Sequence, residues 1–182
     1  MIRCGRFNIY FVLALVPTLF GGCRTEEGRK LNALARIEFH MEIPKDATGR
    51  GTQIPVFRAH PVMFVVDKVP FLTESTLKEA KVVETMGTYA LQLQFDSQGS
   101  MLLEQYTTAN PTRHMAIFCQ YSEAPDYKPT AGRWLGAPKI NGRITNGRVL
   151  FTPDATLDET EQMALQLNNT AAKGDHGGVL KW

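Results

Sequence analysis

The chain has 182 residues, of which 43% are hydrophobic and 21% are charged. This length and composition suit one globular domain, and they exclude a disordered chain and a fibrous repeat. The net charge of +2 comes from arginines near the amino terminus, and the rest of the chain carries equal numbers of basic and acidic residues. A neutral body of this kind lacks the basic surface of a nucleic-acid-binding protein.

The first element of the chain is predicted to be a secretory leader. Two arginines are followed by an apolar stretch over residues 9–20 and then by Gly-Gly-Cys23, which is the order of a signal peptide. A membrane-spanning helix needs about 20 apolar residues, and Pro17 interrupts this stretch, so we expect residues 1–22 to be removed.

Cys23 is predicted to carry the lipid of a bacterial lipoprotein. Small residues before a cysteine resemble a lipobox, although Phe20 replaces the usual aliphatic residue. Acyl chains such as palmitate would hold the protein on a membrane without a spanning segment. The alternative is an ordinary secretion signal in which the cysteine is incidental. Arg24 is not the aspartate of an inner-membrane retention signal, which favours the outer membrane, facing the periplasm. Residues 23–33 are predicted to form a polar tether.

Strands are predicted in the first part of the folded region. Apolar and polar residues alternate over residues 36–43, which is the period of a strand with one buried face. Residues 52–58 form a second extended segment that could pair with the first as a hairpin. Residues 62–66 are continuously apolar, and they form either a strand buried on both faces or a strand capped by Pro70.

A helical turn, a hairpin and a helix are predicted next. Residues 73–79 suit a helical turn, and residues 80–85 and 88–95 suit two strands joined by a turn at Gly87. Asp96 or Ser97 caps a helix that runs to about Thr108. Its predicted apolar stripe is Leu102, Tyr106 and Ala109.

The last part of the chain is predicted to hold three extended segments and a helix. The segments cover residues 113–121, 134–144 and 148–152, and a polar loop over residues 122–132 separates the first two. Thr156 and Glu159 form a capping box that opens a helix to about Asn168. Residues 171–182 suit a mobile tail.

This order of elements predicts the fold class. We expect a single α+β domain over residues 34–170, built as a two-layer sandwich with two main helices on one face of a mainly antiparallel sheet. Neither helix could bury its apolar stripe otherwise.

Four short motifs stand in order along the second part of the chain: Phe95-Asp96-Ser97-Gln98-Gly99, Asn110 with Arg113-His114-Met115-Ala116-Ile117, Ala137-Pro138-Lys139-Ile140 and Thr156-Leu157-Asp158-Glu159. Through these motifs, residues 68–170 resemble the head subdomain of the first periplasmic region of SecD and SecDF, accessory components of bacterial protein export. The resemblance implies a soluble module that handles exported polypeptide, without the membrane helices that couple the family to a proton gradient. The loop over residues 122–132 departs from the family, which has a tight Asp-Gly hairpin at this point.

No catalytic, metal or cofactor motif is recognised in the sequence. The histidines His40, His60, His114 and His176 are scattered, and for His114 we expect a surface or inter-element hydrogen bond rather than a catalytic role. Cys119 lies in an apolar run and is predicted to be a buried thiol. The acidic residues Asp154, Asp158 and Glu159 are explained by the dipole at a helix start. We therefore predict that the protein is not an enzyme and has no cofactor.

Three aromatic residues flank the loop over residues 122–132. Tyr121, Tyr127 and Trp134 could form a lip that binds a polypeptide, because aromatic side chains are enriched at recognition surfaces. Trp134 could instead close the core. The first functional hypothesis is an envelope lipoprotein that binds exported polypeptide or an envelope partner protein. The alternative is an envelope hydrolase, for which a deep pocket with His114 and converging acidic residues would be required.

Overall fold

The computed structural model describes residues 26–45, 49–85, 87–123, 128–130 and 132–177. Its helices are α1 (Glu26–Asn32), α2 (Ser97–Ala109) and α3 (Leu157–Gly177), with a 3-10 turn at Glu74–Thr76. Its strands are β1 (Arg36–Met41), β2 (Gly51–Val56), β3 (Val62–Asp67), β4 (Leu72–Thr73), β5 (Leu77–Thr85), β6 (Thr88–Phe95), β7 (Met115–Gln120), β8 (Ser122–Glu123), β9 (Lys128–Pro129), β10 (Arg133–Gly136) and β11 (Arg148–Phe151).

The larger sheet has four antiparallel strands in the order β10-β7-β1-β4. Strand β1 pairs with β7 over its whole length, from Arg36 opposite Gln120 to Met41 opposite Met115. The predicted hairpin between residues 36–43 and 52–58 is therefore wrong, because β2 pairs with β3 instead. Alternation of apolar residues indicates which face of a strand is buried, but it does not indicate which strand lies beside it.

The second sheet has three antiparallel strands in the order β11-β6-β5. The predicted β5–β6 hairpin is confirmed, with Leu91, Leu93 and Phe95 buried on one face. Gly87 in the connecting turn has a φ of +76°, a backbone conformation that glycine adopts without a steric cost. The antiparallel sheets and the helices confirm the predicted α+β fold.

The main core lies between the two sheets and the helices. Its fully buried members come from β1, β6, β7, β10, α2 and α3, and they include Ile37, Phe39, Leu91, Leu93, Leu103, Ile117, Leu135, Met163 and Leu167. A smaller core lies on the other face of the four-stranded sheet, where the β2–β3 hairpin covers Ala116 and packs against Trp134. The β2–β3 hairpin therefore covers part of this second face of the four-stranded sheet.

Helix α2 buries a different line of residues from the predicted stripe. Gly99, Leu103 and Thr107 are buried, whereas Leu102 and Tyr106 are only partly buried and Ala109 is exposed. A side chain at position 99 would bring its Cβ within 2.7 Å of the Thr76 hydroxyl. The Thr107 hydroxyl donates to the Leu103 carbonyl (2.6 Å) and accepts from the Ile144 amide (3.0 Å). Because the buried face of α2 includes a glycine and a hydrogen-bonded threonine, the sequence does not show this face as an apolar stripe.

Helix α3 fastens three other segments through polar side chains. The Gln166 amide exchanges two hydrogen bonds with the backbone of Ser122 (2.8 and 2.7 Å), and Asn168 does the same with Ala80 (2.8 and 2.9 Å). The Thr170 hydroxyl bonds both backbone groups of Ala35. Helix α3 continues to Gly177 instead of ending near Asn168 as predicted, and the contact of Thr170 with Ala35 lies in the additional part. Helix α1 lies within the segment predicted to be a tether.

Candidate functional site

The predicted binding residues differ in how far the structure describes them. Cys23 and Tyr127 lie outside the described residues. Tyr121 is buried in the main core, and Trp134 is partly buried, with its ring 5.1 Å from that of His40 and 5.3 Å from that of Phe118. Binding through these aromatic residues stays a prediction. Because Tyr121 is buried and Trp134 is partly buried, they would support a binding surface from beneath rather than contact the partner.

The base of the loop over residues 122–132 is fastened to the fold. Strands β8 and β9 pair with each other, and Gln166 of α3 holds both backbone groups of Ser122. The Thr130 amide donates to the Tyr121 carbonyl (2.8 Å), and the Gln120 side chain donates to the Thr130 carbonyl (2.7 Å). Because hydrogen bonds hold both ends of the loop, its base has a fixed position on the domain.

A group of charged side chains lies beside this loop base, and we call it the Glu159 cluster. The Glu159 carboxylate accepts from the guanidinium groups of Arg133 (3.1 Å) and Arg58 (3.2 Å). The Asp154 carboxylate accepts from the Arg58 amide (2.6 Å). The Tyr121 hydroxyl donates to Glu159 (3.5 Å), and the Arg133 guanidinium lies 5.8 Å from the centre of the Tyr121 ring. The cluster consists of Arg58, Tyr121, Arg133, Asp154 and Glu159.

The charges of the Glu159 cluster balance one another. Partial burial opposes ionisation of Glu159, but the hydrogen bonds from Arg133 and the Thr156 amide outweigh it and lower its pKa to about 2. Burial raises the pKa of Tyr121 to about 12, so its hydroxyl stays neutral. Two guanidinium groups therefore face two carboxylates, and the cluster is suited to joining parts of the fold rather than to binding a free ion.

The cluster holds a hairpin tip next to the loop base. Arg58 belongs to the connection between β2 and β3, whereas Arg133 begins β10 and Glu159 lies in the first turn of α3. We call residues 57–63 the hairpin tip. It carries exposed apolar side chains at Phe57 (41%), Val62 (47%) and Met63 (51%). A tip with three exposed apolar residues is the kind of surface that marks an interaction site.

Phe57 has an unusual backbone conformation at this tip. Its φ is +73°, in the left-handed region that a bulky residue rarely adopts. The next residue, Arg58, is bonded to both Asp154 and Glu159, which holds the backbone in place. Strained backbone of this kind is often found where a side chain is displayed for function.

The sequence indicated only part of this site. The capping box is confirmed, since the Thr156 amide donates to Glu159 (2.7 Å) and the Glu159 amide donates to the Thr156 hydroxyl (3.2 Å). The helix-dipole explanation for Asp154, Asp158 and Glu159 missed the arginine partners of Asp154 and Glu159. Arg58 and Arg133 stand far from Glu159 in the chain, and no local pattern links them.

His114 has the structural role that the sequence predicted for it. The Glu42 carboxylate accepts from its backbone amide (2.8 Å) and lies 2.7 Å from its ring Nδ1. Partial burial opposes ionisation of Glu42, but these bonds lower its pKa overall. The adjoining hollow is shallow, with a volume of about 220 Å³. The geometry here gives no support to the hydrolase alternative.

The Cys119 thiol has the buried position that the sequence predicted for it. Cys119 is fully buried, and burial raises the pKa of its thiol to about 12, as expected for a small core residue. Within the described ranges, no group of three or more histidine, cysteine or acidic side chains is placed to hold a metal ion. In the same ranges, no helix is long and apolar enough to cross a membrane.

Comparison with solved structures finds similar SecDF structures, among them two with the same TM-score. One is described as a membrane component SecDF that enhances protein export; it is 20% identical, with a TM-score of 0.52, over 79% of this chain and 67% of that chain. The other is SecDF in a super-membrane-facing form, at the same identity and TM-score, and the match covers 20% of that chain. At this identity the likeness concerns the fold.

Comparison of sequences gives the family directly. No curated protein sequence matches the chain. The family model of the SecDF P1 head subdomain matches residues 52–172, so the match begins before residue 68, where the resemblance was expected to start, and it includes the β2–β3 hairpin. Because this match covers more than half of the chain, the protein belongs to the SecDF P1 head subdomain family.

Proposed function

We propose that the protein is a non-enzymatic envelope lipoprotein that binds exported polypeptide or an envelope partner protein through its SecDF head-like domain. The family match supports a link to export, since a similar SecDF is described as a component that enhances protein export. The chain spans only a fifth of the length of the other SecDF structure. The proposal is therefore limited to binding and does not include driving transport.

The observation that carries the proposal is the position of the hairpin tip beside the base of the loop over residues 122–132. Extended polypeptides offer apolar side chains and backbone groups, and exposed apolar residues next to a loop can accept both. Phe57, Val62 and Met63 supply the apolar part of this surface. Tyr127 would add an aromatic contact from the loop, and Trp134 would support the surface from below.

The Glu159 cluster gives this surface its rigidity. A binding surface that is held in place before contact loses less conformational entropy when a partner binds. Arg58 fixes the hairpin tip to the first turn of α3, and Arg133 fixes β10 to the same carboxylate. The two parts of the proposed surface therefore keep a constant relative position.

Crosslinking in cells tests the proposed function. A photoreactive amino acid placed at position 57 or 127 should form adducts with polypeptides, and the same residue at Met101 should not. Met101 is an exposed residue of α2, which takes no part in the Glu159 cluster, and it serves as the matched control. The binding proposal fails if positions 57 and 127 give no adducts, or if position 101 gives the same adducts in equal yield.

The proposed location rests on Cys23 and Arg24. A lipid on Cys23 would hold the domain on the membrane surface, and Arg24 favours the periplasmic face of the outer membrane. The mature protein would then begin at Cys23, with residues 34–170 as its folded domain.

A further inference from the structure

We infer that α1 and the adjoining part of α3 form the face of the domain that lies against lipid headgroups, with Leu31 and Leu34 in contact with the bilayer. This inference rests on the proposed lipid at Cys23 and adds an orientation to it. It concerns a surface that is separate from the hairpin tip and from the loop over residues 122–132.

The first step is the length of chain between the lipid and the fold. Only Arg24 and Thr25 separate Cys23 from Glu26, where α1 begins. Three residue steps span at most about 10 Å even when fully extended. The headgroup region on each side of a bilayer is about 5–8 Å thick, so a lipid on Cys23 would keep α1 at or just above this region.

The second step is that α1 is joined to the rest of the domain. The Asn169 side chain donates to the carbonyls of Lys30 (3.3 Å) and Ala33 (3.0 Å). The Ala35 amide donates to the Thr170 hydroxyl (3.1 Å), and that hydroxyl donates to the Ala35 carbonyl (2.8 Å). Whatever holds α1 at the membrane therefore holds α3 and the main core there as well.

The third step is the chemistry of the exposed side chains. Leu31 is 65% exposed and Leu34 is 43% exposed, so much of the apolar surface of both side chains faces solvent in the isolated domain. Arg29 and Lys30 are also exposed, and α1 carries two acidic residues, Glu26 and Glu27. Leucines beside basic residues suit a membrane interface, where apolar side chains enter the acyl boundary and basic side chains meet phosphate groups. The near balance of charge makes the leucines the stronger part of this contact.

The fourth step is the resulting orientation. Glu159 and Asn169 lie on the same helix, ten residues apart, which corresponds to about 15 Å along its axis. The α1 contact is thus about 15 Å further along α3 than Glu159, which lies in the first turn of the helix. A domain held by α1 leaves the hairpin tip accessible for a partner on the side remote from the anchor.

Crosslinking to lipid tests the inference. The chain from Cys23 onward keeps every described residue, and it can be coupled through Cys23 to a maleimide phospholipid in vesicles of phosphatidylethanolamine and phosphatidylglycerol. Cys119 is buried with a raised pKa and should not compete for the maleimide. A photoreactive amino acid at position 31 should form phospholipid adducts, detected by intact mass, in at least about fivefold greater yield than at position 63.

Met63 is the matched control because it is exposed to a similar degree but belongs to the hairpin tip. Equal yields at positions 31 and 63, or no lipid adduct at position 31, would overturn the inference. Because the lipid is attached chemically, this result does not depend on whether cells acylate Cys23. The intact mass of the cellular protein answers that question separately, so failure of the anchor and failure of the membrane face can be distinguished.

Discussion

The Glu159 carboxylate takes part in two kinds of contact. It caps α3 by accepting from the Thr156 amide, and it accepts from the guanidinium groups of Arg58 and Arg133. Arg133 Nε is buried and makes no hydrogen bond with the described residues, so Arg133 depends on Glu159 as its ionic partner. A partly buried charge that loses its partner is costly, which makes Glu159 the residue whose change we expect to matter most.

Glu159→Gln should lower the free energy of unfolding by about 2 kcal/mol at neutral pH, because the charge-assisted bonds to both arginines are weakened. Chemical denaturation monitored by tryptophan fluorescence provides the measurement. Glu161→Gln is the control, since Glu161 is an exposed residue of the same helix. Equal losses in the two variants would contradict the role given to the Glu159 cluster.

The stabilising effect of Glu159 should disappear in acid. Its pKa is lowered from the ordinary value of 4.5 to about 2 in the folded protein, so the folded state favours the ionised form. The contribution is fully present above pH 4.5 and is lost as the pH falls toward 2. The difference in unfolding free energy between the original protein and Glu159→Gln should therefore shrink between pH 5 and pH 3. A difference that stayed constant over this range would show that the ionised form is not favoured by folding.

Phe57→Asn should separate stability from binding. Asparagine accepts the left-handed backbone more readily than phenylalanine does, so the free energy of unfolding should stay the same or rise by up to about 1 kcal/mol. Crosslinking from position 127 should decrease, because the apolar side chain is lost from the hairpin tip. Val62→Asn serves as a control for stability alone, because Val62 belongs to the same proposed surface; it lies in β3 and should lower stability by about 0.5–1 kcal/mol. Unchanged crosslinking in Phe57→Asn would exclude Phe57 from the proposed binding surface.

At the scale of elements, the local signals in the sequence were reliable. Gly87 indicated the turn between β5 and β6, Asp96 indicated the start of α2, and Thr156 indicated the start of α3. These signals are local because the groups that satisfy a turn or a helix end lie within a few residues of it. The partner of β1 could not be predicted, since β1 pairs with β7, which is distant in the chain.

The roles of several polar residues in α3 also could not be inferred from the sequence. No local pattern assigned a role to Gln166, Asn168 or Thr170, but each bonds the backbone of another segment. A glutamine amide can donate and accept at once, so it can pair with an exposed strand backbone as a neighbouring strand would. Such a pairing needs tertiary structure to be recognised, and the same holds for Arg58 and Arg133 around Glu159.

Gln166→Leu should destabilise the domain by about 2–4 kcal/mol. The leucine fits the apolar surroundings, but it leaves the buried amide and carbonyl of Ser122 without partners. Chemical denaturation measures the loss, and hydrogen exchange should show faster exchange at the Ser122 amide. Gln162→Leu, at a partly buried position of the same helix, is the control. If both variants lose the same stability, the bond between Gln166 and Ser122 does not fasten the loop base as described.

At the scale of the whole molecule, two parts of α3 have different proposed tasks. The part around Asn169 meets the segment of α1, which only Arg24 and Thr25 separate from Cys23, and the first turn carries the Glu159 cluster with the hairpin tip. A lipid at Cys23 would make this arrangement a display of the SecDF head-like domain on a membrane. The binding surface and its orientation both depend on where the chain is held.

The intact mass of the protein extracted from cell membranes tests this account most directly. We predict a mass that lacks residues 1–22 and includes the added acyl chains of a lipidated Cys23. A full-length, unmodified chain recovered from the cytosol would contradict the account.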